Sequence, residues 1–360
     1  MKILGFGTYN ASVHPRIGIL LQGLEDAGHN VNELNAKLKV STESRVAALS
    51  SPSAAIGFFR KLAKNWASLI EGSFKYRGAN NPDIIVVGYL GHFDVLLARL
   101  LFPTTKIVLD HLIYAANTAE DRGAKNRVLQ AGLSALDRLA LTTANIVVFD
   151  TSAHADLAPA SLQHKGVVVP VGAPDTWFEA RKDEPKHGVV FYGLYTPLQG
   201  APYIAQALRI LADEGELPPV TMIGTGQDYD EVRSIVGDAP VTWLDWVDSA
   251  ELPEIVANHT IGLGIFGTTV KAQRVVPNKV YQSMAVGLAT ITSDTEPQRA
   301  MLGESATYVP PGDARALANA IRDLSRNKDL RDEMRRRAGK VADREFTHSS
   351  VTLPLSNRLS

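Results

Sequence analysis

Three cations crowd one short stretch of the chain, KAQRVVPNKVYQSMAVGLA at residues 271–289: Lys271, Arg274 and Lys279. An apolar run at 261–266 precedes it and another follows at 289–292, so the stretch reads as a strand-to-helix loop with the helix behind it. Pro277 fixes φ and needs no donor, which suits a first helical turn. Val280, Tyr281, Met284 and Ala285 then keep helical spacing until Gly287 stops the helix. Such a helix aims its N-terminus at the end of a strand. That terminus carries partial positive charge and unpaired N–H groups, and with three full charges beside it the place suits a polyanion such as a diphosphate. The plainer alternative is a solvated basic loop, because surface cations are common and mostly idle.

The elements around this stretch must position it. Counting from the start, apolar runs and helical periods alternate: strand 2–6, a turn with Gly5 and Gly7, helix 17–27, strand 83–90, helix 93–102, strand 106–110, helix 126–144 and strand 146–150. Between 52 and 78, Phe59, Leu62, Trp66 and Ile70 recur at helical spacing, with Arg60, Lys61 and Lys64 on the other side. This basic amphipathic helix either docks on its own domain or meets anionic lipid, and the partner surface would be 56–77. Residues 170–188 hold several prolines and a charge cluster, EARKDEPKH, and read as a domain boundary. A second alternating series follows, with strands at 189–192, 220–223, 241–244, 261–266, 289–292 and 306–309. Its helices are expected at 201–213, 229–236, 250–257, 317–324 and 330–341, and Pro354 should bend or end anything helical beyond. Alternation of this kind predicts an α/β protein with two Rossmann-like parallel-sheet domains, 1–172 and 173–340, and a segment 341–360 returning to the first.

Composition narrows the class. The 360 residues carry 37 Lys+Arg against 38 Asp+Glu; residues 1–172 hold 17 against 13 and the remainder 20 against 25. Neither half is basic enough to suggest nucleic acid. The chain has no cysteine, so disulfides and thiolate metal sites are excluded, and no ligand cluster predicts a bound metal or cofactor. Met1 runs directly into a strand and no apolar run is long enough to span a bilayer, so a cytoplasmic protein is expected, with peripheral attachment at the inner face of the plasma membrane as the alternative. Thr151 and Ser152, after the strand at 146–150, read as a helix cap, Asp121 and Arg122 as an ion pair within a loop, and Asp228 and Asp230 as a helix start.

VVPNKVYQSMAVGLATITSD resembles the donor-binding helix of glycosyltransferases of family 4 (glycosyl transferases group 1), which have the GT-B fold: two Rossmann-like domains facing a central cleft. The P-N-K-x-Y-x-x-M-A-x-G wording is closest to a bacterial branch. Gln282 stands where that family normally has the Glu that holds the nucleotide ribose, and Arg274 near the position of its other acidic residue. FYGLYTPLQG is similar to the first donor-domain loop, with Leu194 and Gln199 in place of the usual cations. IGTGQD is similar to the family's second glycine loop. The resemblance implies donor contacts from Gly193, Gly224, Gly226, Trp246, Val247, Lys271, Arg274, Asn278, Lys279 and Gln282. HPRIGILLQGLEDAGHNV and DHLIYAANTAEDRG resemble the first domain's motifs. They imply Gly7, Asp110 and His111 near the transferred sugar and His14, Arg16 and Tyr114 on the acceptor side.

The reading these residues support is a retaining glycosyltransferase. It would move a sugar from a nucleotide diphosphate such as UDP or GDP to a glycan, lipid-linked or small-molecule acceptor in envelope or polysaccharide synthesis, without a metal at the diphosphate. The alternatives are a sugar-nucleotide epimerase of the same fold and a non-catalytic subunit of a glycosyltransferase complex. In the first case, negative charge growing on the leaving phosphate would be met by fixed donors and cations, with no side-chain nucleophile.

Overall fold

The computed structural model describes residues 1–11, 14–38, 52–89, 91–121, 123 and 126–360. Arg122 lies outside the described residues. The chain divides into two units, one of Met1–Pro170 with Val351–Ser360 and the other of Val171–Ser350.

The first unit is built on a six-stranded, all-parallel sheet. Its strands are β1 (Lys2–Gly7), β2 (Asn30–Asn35), β3 (Ile84–Val87), β4 (Lys106–Asp110), β5 (Ile146–Phe149) and β6 (Gly166–Val168), in the order β2-β1-β3-β4-β5-β6. The inner strands are apolar on both sides because helices cover both faces of the sheet. Leu4, Ile85, Ile107 and Val147 face helices Asp94–Leu101 and Arg127–Thr143, whereas Ile3, Ile84, Val108 and Ile146 face helix Arg16–Asp26. The edge strand β2 was not expected from the sequence, because NVNELN is polar and half exposed and shows no buried strand's pattern. The apolar run expected just before Pro170 is the short edge strand β6.

The second unit repeats the plan with β7 (His187–Tyr192), β8 (Val220–Ile223), β9 (Val241–Leu244), β10 (His259–Leu263), β11 (Ala289–Ser293) and β12 (Thr307–Val309), in the order β12-β11-β10-β7-β8-β9. Helices Ala201–Asp213 and Ala314–Arg326 bury Ile204, Leu208, Leu317 and Ile321 against Val189, Phe191, Ile261 and Ile291. The expected boundary at 170–188 is more ordered than its prolines suggest. It carries helix Asp175–Glu179, whose buried Trp177 stacks on Tyr192 with centroids 5.5 Å apart.

Packing decides two further elements. Helix His348–Leu359 continues past Pro354. Buried Leu355 and Leu359 join the Ile17 and Leu20 cluster, and at about 1.5–3 kcal/mol each they offset the roughly 3 kcal/mol cost of an interior proline. The basic helix is Pro52–Ser73, with Leu62 and Leu69 turned into the core. A second stripe of Ile56, Phe59, Ile70 and Phe74 stays exposed, with exposed Arg60, Lys61 and Lys64 near it. Among the described residues no helix is long and apolar enough to cross a membrane.

Candidate functional site: a buried lysine at the sheet reversal

In an open parallel sheet, ligands bind outside the carboxyl ends of the strands, where the strand order reverses direction. In the second unit that point lies between β7 and β10. Gly193 follows β7. The chain leaving β10 passes through the short 3-10 turn Ala272–Arg274 and enters helix Asn278–Ala285. Pro277 sits one place earlier than expected, as the N-cap with ψ 153°, and supplies no side-chain cap. The first amides of the helix, those of Asn278 and Lys279, therefore meet no capping side chain.

Lys279, the second residue of this helix, is 5% exposed. Its Nζ has no hydrogen-bond partner and lies 3.7 Å from the centroid of the Phe191 ring. A Cβ on Gly193 would come within 3.1 Å of the same nitrogen, so the missing side chain leaves the amine its room. Tyr192 Oη donates to the Lys279 carbonyl at 3.0 Å and pairs with Ser283 Oγ at 3.1 Å, pinning the helix to β7. Burial without a counter-charge pushes the Lys279 pKa well below the usual lysine range. The ring face of Phe191 compensates only part of that penalty. Among the described residues, no other lysine amine is buried without a hydrogen bond.

The remaining residues expected here play unequal parts. Asn278 opens the helix and Gln282 lies one turn on, both half buried. Lys271 and Arg274 are half buried and neither is without a partner. Trp246, just beyond β9, is 77% exposed, with half-buried Val247 next to it. Gly224 and Gly226 serve chain-to-chain packing: a Cβ would fall 2.1 Å from the Gly193 carbonyl oxygen in the first case and 2.6 Å from that of Tyr195 in the second. The Gly193 and Gly224 amides are also occupied, by the carbonyls of Ile223 and Leu244. These glycines thus hold the loops after β7 and β8 together.

In the first unit the reversal lies between β1 and β3. There Asp94, which sequence reasoning missed, accepts from the Thr8 amide at 2.7 Å, Thr8 Oγ1 at 2.8 Å and Trp66 Nε1 at 2.8 Å, and so fixes the turn after Gly7. Gly7 has φ 143°, and a Cβ there would press on the Asp94 carboxylate at 3.0 Å. The charged residues expected near the sugar and acceptor are used internally. Arg16 is buried, with Nε donating to Asp110 at 2.7 Å, Nη1 to the Pro170 carbonyl at 2.9 Å and Nη2 to that of Val169 at 2.9 Å. Each of its three nitrogens has an acceptor, which makes Arg16 a clamp for the strand ends within this unit. Burial raises the Asp110 pKa, against the opposing pull of Arg16.

His111 and Tyr114 follow β4 and are both buried, ring edge to ring face with centroids 4.6 Å apart. Tyr114 Oη donates to the His154 carbonyl at 3.2 Å, while His154 Nδ1 meets Asp150 Oδ1 at 2.5 Å. Burial, then the neighbouring His92 and His154, hold the His111 pKa well below its usual range. His14 rests on Tyr89, with centroids 4.3 Å apart. Thr151 Oγ1 accepts from the His154 amide at 3.1 Å, as a cap should, whereas Asp228 occupies an N-cap position with no capping hydrogen bond. Asp137 and His92 were also missed. The only hint of Asp137 in the sequence is an acidic residue on the apolar face of helix Arg127–Thr143.

Comparison with known proteins now adds to this geometry. Residues 186–327 match the family model for glycosyl transferases group 1. The match falls inside the second unit and includes the helix with Lys279. No curated protein matches the chain by sequence. Among solved structures, sucrose-phosphate synthase of Thermosynechococcus elongatus is similar, with TM-score 0.70 and 13% identity over 99% of this chain and 97% of that one. Anabaena HepE in complex with UDP-glucose gives TM-score 0.67 and 12% identity over 99% and 98%. The UDP-forming α,α-trehalose-phosphate synthase of Burkholderia vietnamiensis gives 0.68 and 14% over 99% and 97%. At these identities the likeness establishes the fold, which is GT-B: two six-stranded parallel sheets, each with its helices.

Proposed function

We propose that the protein is a glycosyltransferase that takes a sugar from a nucleotide diphosphate, held in the second unit with its phosphates at Lys279 and the start of helix Asn278–Ala285. The observation that carries this reading is the Lys279 amine, buried, unpaired and placed at the sheet reversal. A diphosphate would give that amine the counter-charge it lacks. It would also meet the uncapped helix start, where anions are favoured. The family match over 186–327 and the UDP named with HepE support a nucleotide sugar, with uridine as the first base to try.

In this reading Lys279 and the first amides of the helix stabilise negative charge that grows on the phosphate as the sugar leaves. Such stabilisation lowers the barrier without a side-chain nucleophile and is compatible with retention. Exposed Trp246 and half-buried Val247 after β9 are the proposed contacts for the base, and Gln282, one turn into the helix, for the ribose. Acceptor binding is assigned to the first unit. His14 and Tyr89 remain candidates there, and so does Asp110, whose Oδ2 has no hydrogen-bond partner, whereas Arg16 and Tyr114 are spent on internal contacts. We further propose that this unit rests on an anionic bilayer through residues 56–77, in a peripheral role suited to a lipid-linked acceptor of envelope or polysaccharide synthesis. The exposed apolar stripe of helix Pro52–Ser73 and its nearby cations support that role.

Calorimetry with a panel of nucleoside diphosphates, followed by a donor-hydrolysis screen, tests the reading. Binding of one diphosphate and slow release of its sugar are expected. Interconversion of sugar nucleotides with no acceptor would identify an epimerase instead. Absence of binding at millimolar ligand would overturn the reading in favour of a non-catalytic subunit.

A further inference from the structure

We propose that His92, His111 and Asp137 of the first unit form a binding site for one divalent first-row metal ion, with zinc as the simplest occupant. The three residues come from three places in the chain: the loop after β3, the residue after β4 and the middle of helix Arg127–Thr143. All three are buried, and each offers a ligand atom within 4.8 Å of those of the other two. Among the described residues no other such group of three is present.

The decisive atom is His111 Nε2, which is buried and has no hydrogen-bond partner, although buried polar atoms are rarely left so. The His111 residue as a whole is 2% exposed, so bulk water cannot take the missing role. Its ring lies edge-on to that of His92, with centroids 5.0 Å apart and planes at 63°, and Tyr114 and Phe149 enclose it further. His92 Nε2 in turn lies 2.9 Å from Asp137 Oδ1. With bonds of about 2.0–2.2 Å, tetrahedral ligand atoms stand roughly 3.3 Å apart, so the three atoms, now within 4.8 Å of one another, would draw together on binding.

The surroundings are those of a held site. The Ala115 amide donates to Asp137 Oδ1 at 2.9 Å and the Ala116 amide to Oδ2 at 3.2 Å, which orients the carboxylate. The His111 amide donates to the Val148 carbonyl at 2.9 Å, which fixes the backbone below the ring. Outer contacts of this type set ligand direction and tune affinity. Two imidazoles and one carboxylate suit zinc or cobalt, and they do not suit magnesium or calcium, which take oxygen. Three protein ligands leave a fourth position for water or an incoming group. The site belongs to the first unit and does not depend on the glycosyltransferase reading, which rests on Lys279 in the second.

The test uses the full chain, stripped with a chelator and returned to metal-free buffer. Zinc is titrated against a chromogenic competitor, and cobalt is added separately to read its visible absorption. The parent should take up one equivalent of zinc and develop the bands of four-coordinate cobalt. His111→Gln and His92→Gln should each weaken zinc binding by about 100-fold or more, whereas His164→Gln, at an exposed position, should not. Zinc should raise the Tm of the parent and leave that of His111→Gln unchanged. Asp137→Asn is a poor probe, because the carboxylate also caps helix Ala115–Asp121. Should His111→Gln fail to fold, the cobalt spectrum of the parent decides. No stoichiometric zinc uptake, uptake that His111→Gln leaves intact, or cobalt without a four-coordinate spectrum would overturn the site.

Discussion

Each unit buries a cation near the strand ends of its sheet, and the two are treated in opposite ways. Arg16 in the first unit donates to one carboxylate and two carbonyls, so its guanidinium is satisfied from within. Lys279 in the second unit has a ring face and a glycine beside it and no acceptor at all. Burying a cation is costly, and a fold keeps one either because it is paired or because something else will pair it. The sequence resemblance placed Arg16 with the acceptor and Lys279 with the donor phosphates. Only the second residue is left with unfilled capacity.

Breaking the satisfied cation should have the largest effect. Arg16→Met leaves Asp110 buried and unpaired and should cost about 3–5 kcal/mol in thermal or denaturant unfolding. Arg16→Met combined with Asp110→Leu should recover most of that loss, since no charge is then stranded. A double variant as unstable as the single one would show that packing, and not the pair, carries the effect.

The membrane proposal comes next in size. Arg60, Lys61 and Lys64 changed together to Glu should abolish co-sedimentation with anionic vesicles, at roughly 1 kcal/mol per cation near the surface. Equal sedimentation of triple variant and parent would remove the bilayer from the account.

Removing the unsatisfied cation should act in the opposite direction to Arg16. Lys279→Met should stabilise the free protein by about 1 kcal/mol at neutral pH, because an apolar side chain replaces an unpaired amine. The sign of its pH dependence follows from the lowered pKa. Between the folded value and the ordinary lysine value the unfolded chain binds more protons, so this residue makes stability rise with pH across that window. The variant should lose that part of the slope. A parent and variant with identical slopes would mean that Lys279 is already paired in solution. Lys271→Ala and Arg274→Ala, which remove cations that already have partners, should weaken diphosphate binding less than tenfold.

How far the sequence reaches follows from where the information lies. Inner strands such as Ile84–Val87 and Ile146–Phe149 are buried on both faces and therefore read as apolar runs. The polar edge strand Asn30–Asn35 has no such pattern, and its pairing with β1 is a tertiary fact. Lys279 was legible because a proline, a loop of cations and a helical period fix its place within one stretch. Its isolation was not legible, because Phe191 and Gly193 stand more than eighty positions earlier. Asp94, His92 and Asp137 were silent for the same reason. Each is a single polar residue whose meaning depends on a partner far along the chain, Trp66 for Asp94 and Asp137 for His92. The clamp formed by Arg16 was read as an acceptor contact because a basic residue after the first strand looks the same in sequence whether it is free or filled.

The central claim is that Lys279 is kept unpaired for a diphosphate, and titration calorimetry of UDP in buffers of differing ionisation enthalpy tests it most directly. Bound phosphate should raise the lowered pKa of the amine again, so UDP binding should take up protons at a pH between the lowered value and the ordinary lysine value, while uridine should take up none. Lys279→Met should abolish the uptake and weaken UDP about tenfold or more, the size of one charge-assisted contact in a desolvated site. UDP bound equally well by parent and variant, with no proton uptake in either, would contradict the account and leave Lys279 as a lysine that the fold merely tolerates.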